Sequence, residues 1–161
     1  MTATRIYANP GVARRANASL VVVFIAFVFG AFEIWRAANA GPEGPGSGYL
    51  FAVLFLGGGA YGLRQVLGAN RDTVLWLDID GDAATAAVWK PFGTKKIVGP
   101  IGGFTEWRPY AKQVRRNMRQ PLVLVDHPEH PRPLEFELGR GIVIGDGFRP
   151  LAGEALAGFE T

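Results

Sequence analysis

The amino-acid sequence predicts a membrane α-helical hairpin joined to a mainly-β domain. In that domain, six or seven antiparallel strands form a bent sheet or small open barrel closed by a C-terminal helix. Three observations lead there. Two apolar runs, each near the length of a membrane span, are separated by a turn of glycine and proline. After residue 70 the chain alternates apolar and polar side chains in short stretches broken by turn sequences. Near residue 148 the apolar spacing becomes helical. A length of 161 residues leaves room for one small domain beside a hairpin.

Residues 1–17 are expected as a cytoplasmic N-terminal segment and 18–69 as the two-helix transmembrane hairpin, with spans at about 18–37 and 49–68. The first run, Leu20 to Phe32, reads "LVVVFIAFVFGAF" and is followed by Glu33, Ile34, Trp35 and Arg36. The second, Tyr49 to Leu63, reads "YLFAVLFLGGGAYGL" and runs into Arg64 and Gln65. A helix needs about 20 residues to cross the hydrocarbon core, a length each run reaches with polar residues at the interface. Glu33 and Arg36 are three apart and share a helix face, where they can pair. Trp35 suits the interfacial belt, and Arg64 can extend its charge to the headgroups.

The connector, "AGPEGPGSG" at 40–48, carries Glu43 and no base, whereas Arg5, Arg14 and Arg15 precede the first run and Arg64 and Arg71 close the second. The positive-inside rule therefore expects both termini in the cytoplasm and the hairpin in the inner membrane. A secretory signal is the competing reading, with Arg14-Arg15 as its basic region and "ANA" at 38–40 as its cleavage site. Glu33, Trp35 and Arg36 fit such a site poorly, and a second apolar run follows at once. Within the second span, Gly58 and Gly62 form a small-xxx-small pair with Gly59 beside them, which lets helices approach closely in lipid. Packing against the first span around Gly30 is the expected use. Docking to another membrane protein, or to a second copy as a homo-oligomer, is the alternative.

Residues 70–161 are expected as a cytoplasmic β domain. "TVLWLDID" (73–80) alternates and turns at Asp80-Gly81-Asp82 into "TAAVWKP" (85–91), a hairpin pattern. "KKIVGPI" and "GFTEWRPY" read as two further short strands, kinked near their glycines. "PLVLVDH" is a strand. "PEHPRP" turns the chain, and "LEFELG" returns with Leu134, Phe136 and Leu138 alternating with Glu135 and Glu137. The segment 140–146 is either one more strand or a loop. Phe148, Leu151, Ala155, Leu156 and Phe159 stand near helical spacing, so a helix is expected over about 148–160. It would cover one open end, with the first strand's sheet beneath it.

Two spans, a strand-rich domain beginning just past the second, and a closing helix resemble bacterial two-span membrane proteins with a pleckstrin-homology-like (PH-like) domain. The stretches that carry the resemblance are "RDTVLWLDID", "VWKPFGTKKIVGPIGGFTEW" and the C-terminal helix. It covers almost the whole chain and rests on architecture more than on motifs. The resemblance implies a membrane-proximal scaffold and no enzyme. It transfers no functional residue, because no motif fixes one.

The chemistry in the residues agrees. There is no cysteine, which excludes disulfides, thiolate metal sites and cysteine nucleophiles. Ser19 and Ser47 both lie in the hairpin, so no serine triad can be assembled in the β domain, and no phosphate-binding glycine loop is present. His127 and His130, with Asp126 and Glu129, offer metal-ligand chemistry, yet they sit in a proline-bounded turn without a distant ligand. Asp78, Asp80 and Asp82 begin like a calcium loop, but Ala83 and Trp89 occupy positions where that loop needs other residues. The sequence therefore expects no catalytic residue, no metal and no cofactor.

Charge is the remaining signal. From Lys90 to Arg119 there are eight bases against one acid, a net of +7, and from Gln120 to Thr161 three bases against seven acids, a net of −4. Nucleic acid is not the expected partner, because Trp107 and Tyr110 occupy strand positions rather than a stacking surface. Anionic lipid is, since bases next to a span contribute about 1 kcal/mol each at an anionic leaflet; a solvated loop of mixed use and a basic dock for an acidic partner protein are the alternatives. The expected lipid-facing residues are Arg64, Arg71, Lys95, Lys96, Lys112, Arg115, Arg116 and Arg119. The expected role is a scaffold or adaptor, lying on anionic lipid without headgroup specificity and binding an unidentified membrane or cytoplasmic protein. The alternative is an accessory subunit of a larger assembly, respiratory or photosynthetic, docked through its spans.

Overall fold

The computed structural model describes residues 3–40, 46–115, 118–139, 141–157 and 159, without the side chains of Arg115 and Glu154. The chain divides into two compact units, Arg15–Ala69 and the combination of Met1–Arg14 with Asn70–Thr161.

The first unit is built on helices α1 (Pro10–Asn39) and α2 (Gly46–Asn70). Both are long and apolar enough to cross a membrane. Proline at the first helical position is favoured because its missing N–H would have no partner there, and it starts α1 eight residues before the expected span. Arg36 closes on Glu33 with two bonds of 3.0 and 2.6 Å. The buried residues of α2 are Gly48, Ala52 and Gly59, which stand on one face at steps of four and seven. A Cβ on Gly30 would lie 2.7 Å from Leu56 Cγ, one on Gly48 3.0 Å from Ala37 Cβ, and one on Gly62 3.0 Å from Val23 Cγ2. Gly59 faces the Phe27 ring at 3.4 Å. Gly30, Gly59 and Gly62 thus stand close to the facing helix, whereas Gly58, like Gly57, has open space where a side chain would stand.

The second unit contains eight strands among its described residues, one more than the upper expectation. β1 (Thr4–Ala8), β2 (Val74–Asp80), β3 (Ala83–Lys90), β4 (Gly93–Pro100) and β8 (Val143–Ile144) form one sheet in the order β4-β3-β2-β1-β8. β5 (Thr105–Arg115), β6 (Met118–Asp126) and β7 (Leu134–Glu137) form a second, in that order. An isolated parallel bridge joins Thr73 to Glu135. The strand missing from the sequence reading is β1, which lies in the segment expected only as a lead to the first span. It pairs antiparallel with β2, Ala8 opposite Trp76 and Thr4 opposite Ile79. Two sequential antiparallel runs, β2-β3-β4 and β5-β6-β7, supply the rest. Gly81 allows the first tight turn with φ +59°.

The core lies between the sheets. Tyr7, Phe136 and Phe148 are fully buried. Tyr7 meets Phe136 edge-on at 5.0 Å and stacks on Phe148 at 5.4 Å. The Tyr7 hydroxyl donates to the Glu137 carbonyl at 3.0 Å, which satisfies the one polar atom this ring brings inside. Phe148 opens helix α3 (Phe148–Ala157). That helix packs on β5 and β6, and its first residue, Phe148, also stacks on Tyr7 of β1 in the sheet that holds β2, where it joins the ring cluster of Tyr7, Trp107 and Phe136. Residues 158 and 160 of the expected helix lie outside the described residues.

Candidate functional site

Among its described residues the basic stretch is strand, not loop. β5 and β6 continue as a ladder, with Tyr110 opposite Leu122, Lys112 opposite Gln120, Gln113 opposite Arg119 and Arg115 opposite Met118. Beyond Pro121, whose carbonyl accepts the Leu138 N–H at 2.9 Å, no third strand pairs with these two among the described residues. The result is a β-arm with Tyr110, Val114, Met118 and Arg119 exposed. The Arg115 side chain and all of Arg116 lie outside the described residues.

Not every expected base is available to a surface. Lys112 bonds Glu135 at 2.5 Å, because the β5–β6–β7 ladder sets both on one face. Arg108 bonds Asp126 at 2.8 Å and stands 3.5 Å from Glu106. These pairs neutralise two bases counted in the +7 stretch. Lys95 and Lys96 are neighbours on β4, and strand alternation sends them to opposite faces. Lys95 shares its face with buried Ile97 and is half-buried, whereas Lys96 is exposed. Lys96 Nζ lies 6.0 Å from the Trp76 ring and Arg5 Cζ lies 4.7 Å from it, with Arg5 also held by both oxygens of Asp78 at 2.8 and 3.0 Å. Arg5, which the sequence counts toward topology but not among the lipid-facing residues, is a surface base hidden with the strand that carries it. Arg64 on α2 and Arg71 just past it are exposed.

The β3–β4 turn adds a feature with no forecast. Lys90 pairs with Gly93, so Pro91 and Phe92 form the two-residue turn. Proline fixes a negative φ, and Phe92 then takes φ +55°, a conformation normally filled by glycine or asparagine. A non-glycine residue held there costs about 1–2 kcal/mol.

The histidine turn is packed rather than open. The His127 ring stands 4.6 Å from the Phe104 ring, and its Nδ1 accepts the Glu129 N–H at 3.2 Å. Its buried Nε2 has no hydrogen-bond partner among the described residues and faces Gly99 and Gly103, where a Cβ would come within 3.0 and 3.5 Å. Burial pushes the His127 imidazole below its ordinary pKa, with Glu129 opposing. His130 Nδ1 is 2.9 Å from the Arg132 carbonyl, and its Nε2 is 3.8 Å from Asp72. Among the described residues, no group of three or more His, Asp or Glu side chains is placed to hold a metal ion. Asp78, from the aspartate series, is taken up by Arg5.

No protein-family model, curated protein or solved structure matches this chain.

Proposed function

We propose that this protein is a non-enzymatic scaffold or adaptor of the inner membrane, with a PH-like domain held on the cytoplasmic, anionic leaflet and offered to a partner protein. The observation that carries the reading is the insertion of both apolar helices into one strand pair. Ala8 opposes Trp76. Two residues after Ala8 the chain enters α1, and four residues before Val74 it leaves α2. A domain tethered through two such short links stays at the bilayer, where its local concentration is high without further contacts. Two sequential three-stranded runs closed by a C-terminal helix support the PH-like reading. The bases at Arg5, Arg14, Arg15, Arg64 and Arg71, against an acid-only connector, support cytoplasmic termini. The exposed edge strand β4, with Val98 outward, is the proposed contact for a partner strand or loop.

The second reading, an accessory subunit docked through its helices, draws on Gly57 and Gly58. Both face open space on α2, with Leu54 and Tyr61 exposed beside them. Affinity purification of the full-length protein from native membranes in mild detergent tests both. The comparison variants are Gly57→Leu with Gly58→Leu, and Val98→Asp. Partners lost only with Val98→Asp support the adaptor. A stoichiometric membrane complex lost only with the glycine variant supports the accessory subunit. Recovery of the chain alone from all three overturns both.

A further inference from the structure

We propose that Phe92 is an interfacial membrane anchor: the β3–β4 turn carries it into the headgroup–acyl boundary of the bilayer that holds α1 and α2, with Lys90 and Lys96 on anionic headgroups. This rests on the reading of α1 and α2 as spans beneath an anionic leaflet.

Strand register fixes where the turn lies. Val74 pairs with Val88, and the Trp89 N–H donates to the Thr73 carbonyl at 2.9 Å. The Asn9 N–H donates to the Leu75 carbonyl at 2.7 Å. The β3–β4 turn therefore occupies the end of the five-stranded sheet at which the chain departs for α1 and returns from α2. The other turn, Gly81–Asp82, lies at the opposite end with Ile101, whose N–H donates to the Asp82 carbonyl at 2.8 Å. A seven-residue strand separates the two ends, about 20 Å at the rise of a β-strand.

The chemistry of the turn fits that location. Phe92 is 70 % exposed. A single exposed apolar residue is ordinary on a soluble surface, so exposure alone decides little. The backbone adds the second observation: φ +55° is a position that aqueous turns give to glycine, asparagine or aspartate, and strain of this kind gathers at functional sites. The third is charge. Between Ala83 and Thr105 the chain has three bases, Lys90, Lys95 and Lys96, and no acid. Lys90 and Lys96 are exposed and Lys95 is half-buried. An apolar side chain with Lys90 two residues before it and Lys96 four residues after it matches an anionic bilayer boundary, where apolar burial and attraction to headgroups act together. An acidic protein groove would offer the charge but is not tethered to this end of the sheet.

The test uses full-length protein in vesicles of phosphatidylcholine with 30 % phosphatidylglycerol as the probe membrane. The chain has no cysteine, so single cysteines at Thr94, Asp82 and Val53 can each carry an environment-sensitive fluorophore, read against lipid-borne spin-label quenchers. The label at Thr94→Cys, two residues from an intact Phe92, is expected to be quenched by a shallow lipid quencher and the label at Asp82→Cys not. Adding Phe92→Asp is expected to reduce quenching at Thr94 at least threefold, and Phe92→Trp to preserve it. Aspartate tolerates positive φ better than phenylalanine, so the turn survives the change. Removal of phosphatidylglycerol is expected to weaken quenching in the wild-type sequence. Quenching at Thr94 that is absent, or unmoved by Phe92→Asp, overturns the anchor while a deeply quenched label at Val53→Cys keeps the span reading intact. A Val53→Cys label untouched by deep quenchers overturns the span reading and the anchor with it.

Discussion

Ala8 and Trp76 are partners across an antiparallel ladder although 67 residues and both apolar helices separate them in the chain. The helices are an insertion in a β-hairpin, so the β domain is incomplete without the residues that precede the first span. A soluble form in which Ala8 is joined to Thr73 through four glycines is expected to fold, with a cooperative thermal transition. A form beginning at Asn70 is expected to lack that transition, because Tyr7 and Ile6 are missing from its core. In the full chain, Tyr7→Ala leaves a cavity beside Phe136 and Phe148 and is expected to cost about 3–5 kcal/mol, the range for a large buried ring. Circular dichroism melts compare all three.

The same pairing constrains topology. If the helices span, the ends of the hairpin emerge on one side and Ser47, in the first turn of α2, on the other. In spheroplasts a membrane-impermeant maleimide is expected to label Ser47→Cys at once and Asp82→Cys only after lysis. Labelling in the opposite order puts the β domain outside the cell and contradicts the positive-inside assignment.

Glycines of α1 and α2 divide by what faces them. At Gly30 and Gly62 an added side chain meets Leu56 and Val23 at 2.7 and 3.0 Å. Gly30→Leu and Gly62→Leu are therefore expected to force the pair apart and lower thermal stability in detergent by about 1–3 kcal/mol, the usual cost of overpacking. Gly57→Leu, with open space, is expected to leave the melting temperature within error. A destabilised Gly57→Leu would mean that a second chain or subunit covers that face.

These contrasts mark what the residues alone disclose. The two helices were legible because runs such as "LVVVFIAFVFGAF" have few other uses, and β7 because Leu134 and Phe136 alternate cleanly with glutamates. β1 was not legible. It is five residues long, and a register shift between Arg5 and Tyr7 buries Ile6 and Tyr7 in succession, which breaks the two-residue period. The basic stretch was legible as charge but not as surface. The pairing of Lys112 with Glu135 and of Arg108 with Asp126 depends on cross-strand register. Phe92 was hidden for a related reason, since "PFGT" names a turn but not the residue that takes the positive φ.

His127 gives the β domain a pH response. The ring is 4 % exposed, its Nδ1 accepts the Glu129 N–H, and the proton of the neutral ring therefore sits on Nε2, facing Gly99 and Gly103. A second proton would have to enter at Nδ1, displace the Glu129 bond and charge a ring packed on Phe104. Glu129 favours that proton, but burial outweighs it and His130 opposes it, so the folded pKa lies below the unfolded value of about 6.5. Above that value both states are neutral and the contribution to stability is complete. As pH falls, the unfolded chain takes up the proton first and stability declines until the lowered folded pKa is reached. The slope for one such group approaches about 1.4 kcal/mol per pH unit. Thermal unfolding of the full chain in detergent, followed by tryptophan fluorescence, is expected to give a lower midpoint at pH 5.5 than at pH 7.5. Most of that difference is expected to vanish in His127→Gln, which keeps an acceptor for Glu129 and cannot titrate. An equal drop in both proteins would assign the pH response to another group and leave His127 as a packing residue only.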